Sequence, residues 1–178
     1  DELIPSGETS SYRSNPIKLS EFALSRRVPE YVGRSKAVRA LEEAREKGEV
    51  AQEVKDALAK VGGDAAKTTI GSCVFARRPG DGSAREQAAS CQRVLGGSAN
   101  IARDYATKRY RSNLINWGML PLTCDEMTIG KNEGTGCGEI VCGDWVILPG
   151  VRAAIAAGKS DLCGYLCKTD GTVHKYNF

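Results

Sequence analysis

A buried strand, a glycine-rich turn and a helix follow one another near the middle of the chain, and this succession constrains the fold most. Residues 68–75 are apolar or β-branched, which predicts a buried strand. Gly80 and Gly82 predict a turn, and residues 83–95 have the pattern of a helix that ends at a glycine pair. We therefore expect alternating α and β elements in this half of the chain.

The segments on either side have different patterns. Residues 1–16 are rich in Ser, Thr, Gly and Pro, which predicts an extended N-terminal loop. Residues 35–61 combine apolar residues at helical spacing with alternating charges, so we predict a charged helical hairpin on the surface. The other predicted helices are 20–27, 105–117 and 151–157. The other predicted strands are 99–102, 120–124, 126–129, 138–142, 144–148, 162–168 and 172–176, and the last two form a pair.

Composition and targeting signals exclude several classes of protein. The chain has 178 residues, 41% of them hydrophobic, which is enough for one sizeable core. No apolar run approaches the ~20 residues of a membrane span, and the first residues lack the features of a signal peptide, so we expect a cytoplasmic protein.

The seven cysteines lack zinc-site spacing and there is one histidine, so we expect no metal site in this chain. A net charge of +3 is too small to indicate a nucleic-acid partner.

The glycine-rich turn combines three features that favour an anion. Backbone N–H groups at the start of the predicted helix carry partial positive charge. The glycines allow close approach to the backbone, and Arg85 offers a planar pair of donors for a carboxylate or phosphate. A purely structural interpretation also fits, because Ser83 and Glu86 have the spacing of an N-terminal capping box.

Residues 80–89 resemble the Gly-x-Gly-Ser-Ser-Arg-Glu-His-Ala motif of the aconitase family. The likeness continues in the same order with Arg-x-Leu-Gly-Gly at 93–97, Asn-Leu at 113–114 and Gly-Met-Leu-Pro-Leu at 118–122. Residues 1–13 resemble the loop that opens the family's C-terminal domain. The resemblance covers most of the first 130 residues, and several blocks in register make it specific.

The resemblance implies the C-terminal swivel domain of an aconitase-like hydratase, with the swivelling β/β/α fold. We expect residues 1–178 to form one such domain, a fragment of a longer chain. Residues 1–16 would be its N-terminal loop and residues 35–61 a charged helical insert.

The resemblance also implies the reaction and its residues. The domain would take part in the reversible dehydration of a hydroxy di- or tricarboxylate. Ser83 would be the base that removes a proton from the carbon next to a carboxylate. Arg85, helped by the backbone N–H of Ala84, and Arg13 would each hold a substrate carboxylate. Asp1 stands where the family has an Asp that pairs with a catalytic His from another domain.

A four-iron four-sulfur (4Fe-4S) cluster is the cofactor that the resemblance implies. Cluster-bearing domains that precede this one, in the same chain or in a separate large subunit, would bind it. The iron would act as a Lewis acid on the substrate hydroxyl. None of the seven cysteines here needs to be a ligand, so we expect the isolated domain to bind no cluster and to be inactive.

Two positions depart from the family motif and leave alternatives open. Ala84 replaces the usual second Ser and Gln87 replaces the usual His, so a related carboxylate fits as well as citrate or isocitrate. The alternative function is a regulatory module of the same superfamily that binds a small anion or RNA without catalysis. A further alternative is an interaction domain in which the Ser83 turn only caps a helix.

Overall fold

The computed structural model describes residues 2–124 and 140–178 of the chain. Its helices are α1 (Pro16–Ser20), α2 (Tyr31–Glu46), α3 (Gln52–Ala59), α4 (Arg85–Val94), α5 (Lys108–Asn116) and α6 (Val151–Ala156). Its strands are β1 (Ser72–Ala76), β2 (Gly97–Ala102), β3 (Leu120–Thr123), β4 (Trp145–Ile147), β5 (Cys163–Cys167) and β6 (Val173–Asn177).

The first three strands form a parallel sheet in the order β1-β2-β3. Helices α4 and α5 are the two connections between them. Because parallel crossovers are right-handed and the strand order runs in one direction, both helices cover the same face of the sheet. They bury a core with α1 that includes Leu19, Val74, Ala88, Leu95 and Leu114.

The other face of the parallel sheet packs against a second, antiparallel sheet in the order β4-β5-β6. Phe75, Ile101 and Leu122 lie side by side across β1, β2 and β3. They pack with Leu166 and Tyr176 of the second sheet. The layers are therefore helices, parallel sheet and antiparallel sheet. This arrangement confirms the predicted β/β/α fold class.

Helices α2 and α3 form the predicted helical pair, but α2 begins at Tyr31, four residues before the predicted segment 35–61, and α3 ends at Ala59. The break between them contains Gly48, which has a φ of +88°. Val54 and Leu58 of α3 pack with Ile70, and Trp145 of β4 lies against the same cluster. The helical pair therefore buries one face and leaves most of its charges exposed.

The predicted helix at 20–27 is wrong, because the helix lies earlier in the chain. The Asn15 side chain accepts a hydrogen bond from the Lys18 backbone N–H at 3.0 Å, and Pro16 occupies the first helical position. This cap and the fixed φ of proline set the start of α1. Residues 21–27 form turns, and Leu24 has a φ of +55°.

The N-terminal loop is coiled rather than extended. It contains a 3-10 turn at Ser10–Tyr12, and the buried Thr9 hydroxyl donates to the Pro5 carbonyl at 3.0 Å. The first strand begins at Ser72 rather than at residue 68. The predicted strand 126–129 lies outside the described residues, as do residues 138 and 139 of the predicted strand 138–142. The described rest of 138–142 is not a strand: Ile140 forms an isolated bridge and Cys142 lies in a turn.

No helix in the described part of the chain combines the length and the hydropathy that a bilayer crossing needs.

Glu42 joins α2 to the segment that leads into β1. Its carboxylate accepts two hydrogen bonds from the Arg45 guanidinium, both at 2.8 Å, and one from the Ile70 backbone N–H at 2.8 Å. The hydrogen bonds from Arg45 hold the pKa of Glu42 below its usual value, and the Ile70 N–H adds to the effect.

We predict that Glu42→Gln destabilises the fold by about 1–2 kcal/mol at neutral pH, because three charge-assisted hydrogen bonds are weakened. Because folding lowers the pKa of Glu42, the ionised carboxylate stabilises the fold fully at pH values above the ordinary pKa of glutamate. This stabilisation is lost as the pH falls through the pKa that Glu42 has in the folded protein. Urea unfolding of both proteins at pH 7 and in acid measures it. The exposed Glu43→Gln is the control, and an undiminished Glu42 effect in acid contradicts the assignment.

Candidate active site

Ser83 lies in the turn between β1 and α4, at the carboxyl edge of the parallel sheet, and it is exposed. Open α/β sheets bind their ligands at this edge. Ala84 is the N-cap residue of α4, and the helix begins at Arg85. The Glu86 carboxylate accepts a hydrogen bond from Trp117 Nε1 at 3.0 Å. The capping-box interpretation of Ser83 and Glu86 is therefore wrong.

The N-terminal loop packs against this turn. The Oγ atoms of Ser6 and Ser83 lie 3.4 Å apart, although the residues are 77 positions apart in the chain. A small concavity next to this contact contains Arg13 together with Ala84 and Gln87. Its described lining is Ile4, Ser6, Thr9, Arg13, Leu19, Ala84 and Gln87, a set with one cation and no carboxylate. The lining therefore carries one positive and no negative charge, and the concavity is too small to enclose a whole substrate.

Arg85 occupies the first turn of α4 and is half-buried. Its Nε atom is buried and has no hydrogen-bond partner within the described residues. A buried guanidinium nitrogen normally has an acceptor, since leaving it unpaired costs free energy. The predicted residues Arg13 and Ala84 thus share the concavity, while Ser83 and Arg85 flank Ala84 in the chain. Asp1 lies outside the described residues.

Gly80 fixes the position of the turn by lying directly on a side chain of α5. It has a φ of +97°, and a Cβ atom there would lie 2.4 Å from Cδ1 of Tyr110. The Thr107 hydroxyl donates to the Gly80 carbonyl at 2.8 Å, and the Ala106 N–H donates to the Pro79 carbonyl at 3.0 Å. Only glycine can occupy position 80 without moving the turn.

A buried polar network holds Tyr110 in place. Its hydroxyl accepts hydrogen bonds from Gln92 Nε2 at 2.9 Å and from Asn100 Nδ2 at 2.8 Å. Burial raises the pKa of Tyr110 well above its usual value, so its hydroxyl stays neutral at physiological pH. The network joins α4, β2 and α5 beneath the Ser83 turn. Because buried polar groups need their hydrogen-bond partners, these bonds favour one position of Tyr110 relative to α4 and β2.

The described cysteines are free thiols. Cys91 lies in the core, where burial raises the pKa of its thiol to about 12 and keeps it protonated. Among residues 2–124 and 140–178, no group of three or more His, Cys, Asp or Glu could hold a metal ion. These residues therefore do not fit a 4Fe-4S cluster, which needs several thiolates around one site.

Sequence reasoning missed Ser6, Thr9 and Gln87 as residues of the concavity. Gln87 lies three residues after Ala84, so its position on the same helical face could have been inferred from helical spacing. Ser6 and Thr9 carry no such signal, because the coiled N-terminal loop alone brings them to α4.

The fold and the site define a β/β/α domain with a serine–arginine turn at the carboxyl edge of its parallel sheet. A comparison with known protein families matches residues 36–127 to the aconitase C-terminal domain. The match covers just over half of the chain and includes Ser83, Ala84 and Arg85. The chain therefore belongs to the aconitase C-terminal domain family. A comparison with curated proteins found no match.

The matched range begins at residue 36, so it contains most of the charged helical segment, while Arg13 and the N-terminal loop precede it. The assignment of Arg13 accordingly depends on its place in the concavity and on the sequence resemblance.

We predict that Gly80→Ala destabilises the fold by about 2–4 kcal/mol, because it adds strain at positive φ to a clash with Tyr110. Gly118→Ala is the matched control, since Gly118 also has a positive φ, of +70°, but has nothing within 4 Å of an added Cβ. It should cost about 1 kcal/mol, from strain alone. Denaturant unfolding compares the two, and equal losses would contradict a role for the Tyr110 contact.

Proposed function

We propose that this domain binds a hydroxy di- or tricarboxylate and supplies the base and the carboxylate-binding groups for its reversible dehydration. The observation that carries the proposal is the buried Nε of Arg85 at the start of α4, which has no hydrogen-bond partner within residues 2–124 and 140–178. It lies two residues after the exposed Ser83. Membership of the aconitase C-terminal domain family supports an aconitase-like hydratase.

Arg85 and Arg13 would each bind one carboxylate of the substrate. A carboxylate oxygen would give Arg85 Nε the acceptor that it lacks within the described residues. The backbone N–H of Ala84, at the N-cap of α4, would add a donor in the positive field of the helix terminus. Arg13 is the one cation among the described residues of the concavity and would hold a second carboxylate there.

Ser83 would accept a proton from the carbon next to the bound carboxylate. A serine hydroxyl is a weak base in water, so its alkoxide needs stabilisation by positive groups and hydrogen-bond donors. The N-terminus of α4 and Arg85 provide positive potential on one side of the turn. The Ser6 hydroxyl, 3.4 Å from Ser83 Oγ, approaches it from the N-terminal loop.

The concavity also bears on the choice of substrate. Ala84 and Gln87 are both part of its lining, and Ile4 and Leu19 add apolar surface. Gln87 can donate and accept hydrogen bonds but carries no charge. Substrate groups near Gln87 would therefore be recognised by hydrogen bonds rather than by an additional cation, so substrates other than citrate and isocitrate fit.

The cluster would be bound outside the described residues, by other domains of the same enzyme. Aconitase C-terminal domains usually act together with such domains, either in one chain or across two subunits. The catalytic partner of this domain would thus be a cluster-bearing unit, and turnover would require both.

We predict that Arg85→Lys in the full enzyme lowers kcat/KM by about 10²-fold, because lysine cannot form the two parallel hydrogen bonds of a guanidinium. The assay follows the double bond formed from a panel of hydroxy di- and tricarboxylates. Arg152→Lys is the control, because Arg152 is exposed and bonds to Thr69. Unchanged kinetics of Arg85→Lys would favour an interaction domain instead.

We predict that Ser83→Ala in the same enzyme lowers kcat by about 10²–10⁴-fold with little change in KM, as expected for a proton acceptor. Its unfolding free energy should stay within about 0.5 kcal/mol of the parent, because Ser83 is exposed and is not the N-cap. A variant that keeps full kcat would exclude Ser83 as the base.

A further inference from the structure

The positive charge of the chain is concentrated in one segment. Residues 77–111 contain eight basic and three acidic residues, a net charge of +5, whereas the whole chain carries +3. Arg78 pairs with Asp104 at 3.5 Å, with both side chains about two-thirds exposed. Five other cations in this segment are exposed and have no hydrogen-bond or ion-pair partner within the described residues. These five, here called the basic rim, are Arg77, Arg103, Lys108, Arg109 and Arg111.

The topology brings the basic rim to the same edge as Ser83. Strands β1 and β2 are parallel, so Arg77 and Arg103, which follow them, both lie at the carboxyl edge of the sheet. The Asp104 N–H donates to the Arg77 carbonyl at 3.2 Å, which joins the two loops. The other three cations lie in the first turn of α5, directly after Thr107.

Hydrogen bonds connect this surface to the turn that carries Ser83. The Thr107 hydroxyl donates to the Gly80 carbonyl at 2.8 Å, and the Ala106 N–H donates to the Pro79 carbonyl at 3.0 Å. The side chain of Tyr110 packs under Gly80. The basic rim therefore has a fixed position relative to the turn.

We propose that the basic rim attracts multiply charged carboxylates and guides them to the Ser83 turn. The proposal rests on the proposed function and adds a role for residues that do not touch the reacting atoms. A surface with an excess of one charge sign raises the association rate of an oppositely charged ligand, by roughly 10–10³-fold in strong cases. The effect increases with ligand charge, so it favours di- and tricarboxylates over monocarboxylates.

The observations favour a small anion over RNA. Recognition of single-stranded RNA uses exposed aromatic side chains on which bases stack. Tyr105 and Tyr110, the aromatic residues of the segment 77–111, are 9% and 0% exposed. The Tyr105 hydroxyl also donates to main-chain carbonyls of Asn100 and Leu122, which holds its ring inside. The segment 77–111 thus offers positive charge without an exposed aromatic side chain.

The test compares two triple variants of the full-length protein with equal loss of charge. Arg77→Gln, Arg103→Gln and Arg109→Gln neutralise part of the basic rim. The control, Lys47→Gln, Lys55→Gln and Lys60→Gln, removes three exposed cations from the region of α2 and α3. Calorimetry measures the binding of propane-1,2,3-tricarboxylate, which cannot be dehydrated, at low and high salt.

The rim variant should bind the tricarboxylate about tenfold more weakly at 10 mM salt and within about twofold of the parent at 0.5 M, because salt screens the attraction. The affinity of the control variant for the tricarboxylate should stay within about twofold of the parent's at both salt concentrations. The affinity for acetate should change little in either variant.

Other outcomes overturn the proposal in distinguishable ways. If the rim variant binds the tricarboxylate like the parent at both salt concentrations while Arg85→Lys binds it poorly, the basic rim has no guiding role and the proposed function stands. If the parent binds no tricarboxylate, the proposed function fails and the rim proposal fails with it. If the rim variant loses affinity for a single-stranded RNA but keeps its affinity for the tricarboxylate, the surface serves nucleic acid instead.

Discussion

The contact between the Gly80 backbone and the Tyr110 side chain is the constraint on which the site depends. A positive φ at Gly80 and the absence of a side chain let the loop after β1 lie directly on α5. The hydrogen bond from the Thr107 hydroxyl to the Gly80 carbonyl fixes the distance between the loop and α5. Ser83 and Arg85 follow within five residues, so their positions are set by α5 as much as by their own helix.

The support beneath this contact is polar, which is unusual for the centre of a domain. Gln92, Asn100 and Tyr110 come from three different elements. Asn100 Nδ2 donates to Gln92 Oε1 and to the Tyr110 hydroxyl, and Gln92 Nε2 donates to the same hydroxyl, while Asn100 Oδ1 has no hydrogen-bond partner within the described residues. A shifted helix would break these bonds. Apolar packing alone would tolerate small displacements of α4 against α5, because it is not directional. The polar network specifies one relative position of the two helices, and thereby one position of the Ser83 turn.

Local sequence signals predicted the elements well where the signal and the tertiary structure agree. The strand pair at the end of the chain is an example, since Gly171, with a φ of +93°, makes the predicted turn between β5 and β6. The start of α4 is an example of disagreement. Ser83 is a strong N-cap signal, but the N-cap residue of α4 is Ala84. The segment 21–27 likewise has helical composition but forms turns after α1.

The candidate site was predictable only where its residues are close together in the sequence. Arg85 and Ala84 lie on one turn, so their proximity follows from the chain itself. Ser6, by contrast, reaches Ser83 across 77 positions, and no periodicity in the sequence encodes such a contact. The basic rim could be predicted in part. The sequence shows its cations, but only the parallel pairing of β1 and β2 places them at one edge of the sheet.

The position of the substrate carboxylates is best tested by a crystal structure of the full-length protein with bound propane-1,2,3-tricarboxylate. We expect a carboxylate oxygen at about 2.7–2.9 Å from Arg85 Nε, with a second carboxylate near Arg13. A ligand bound elsewhere, with Arg85 Nε bonded to the protein itself, would contradict it.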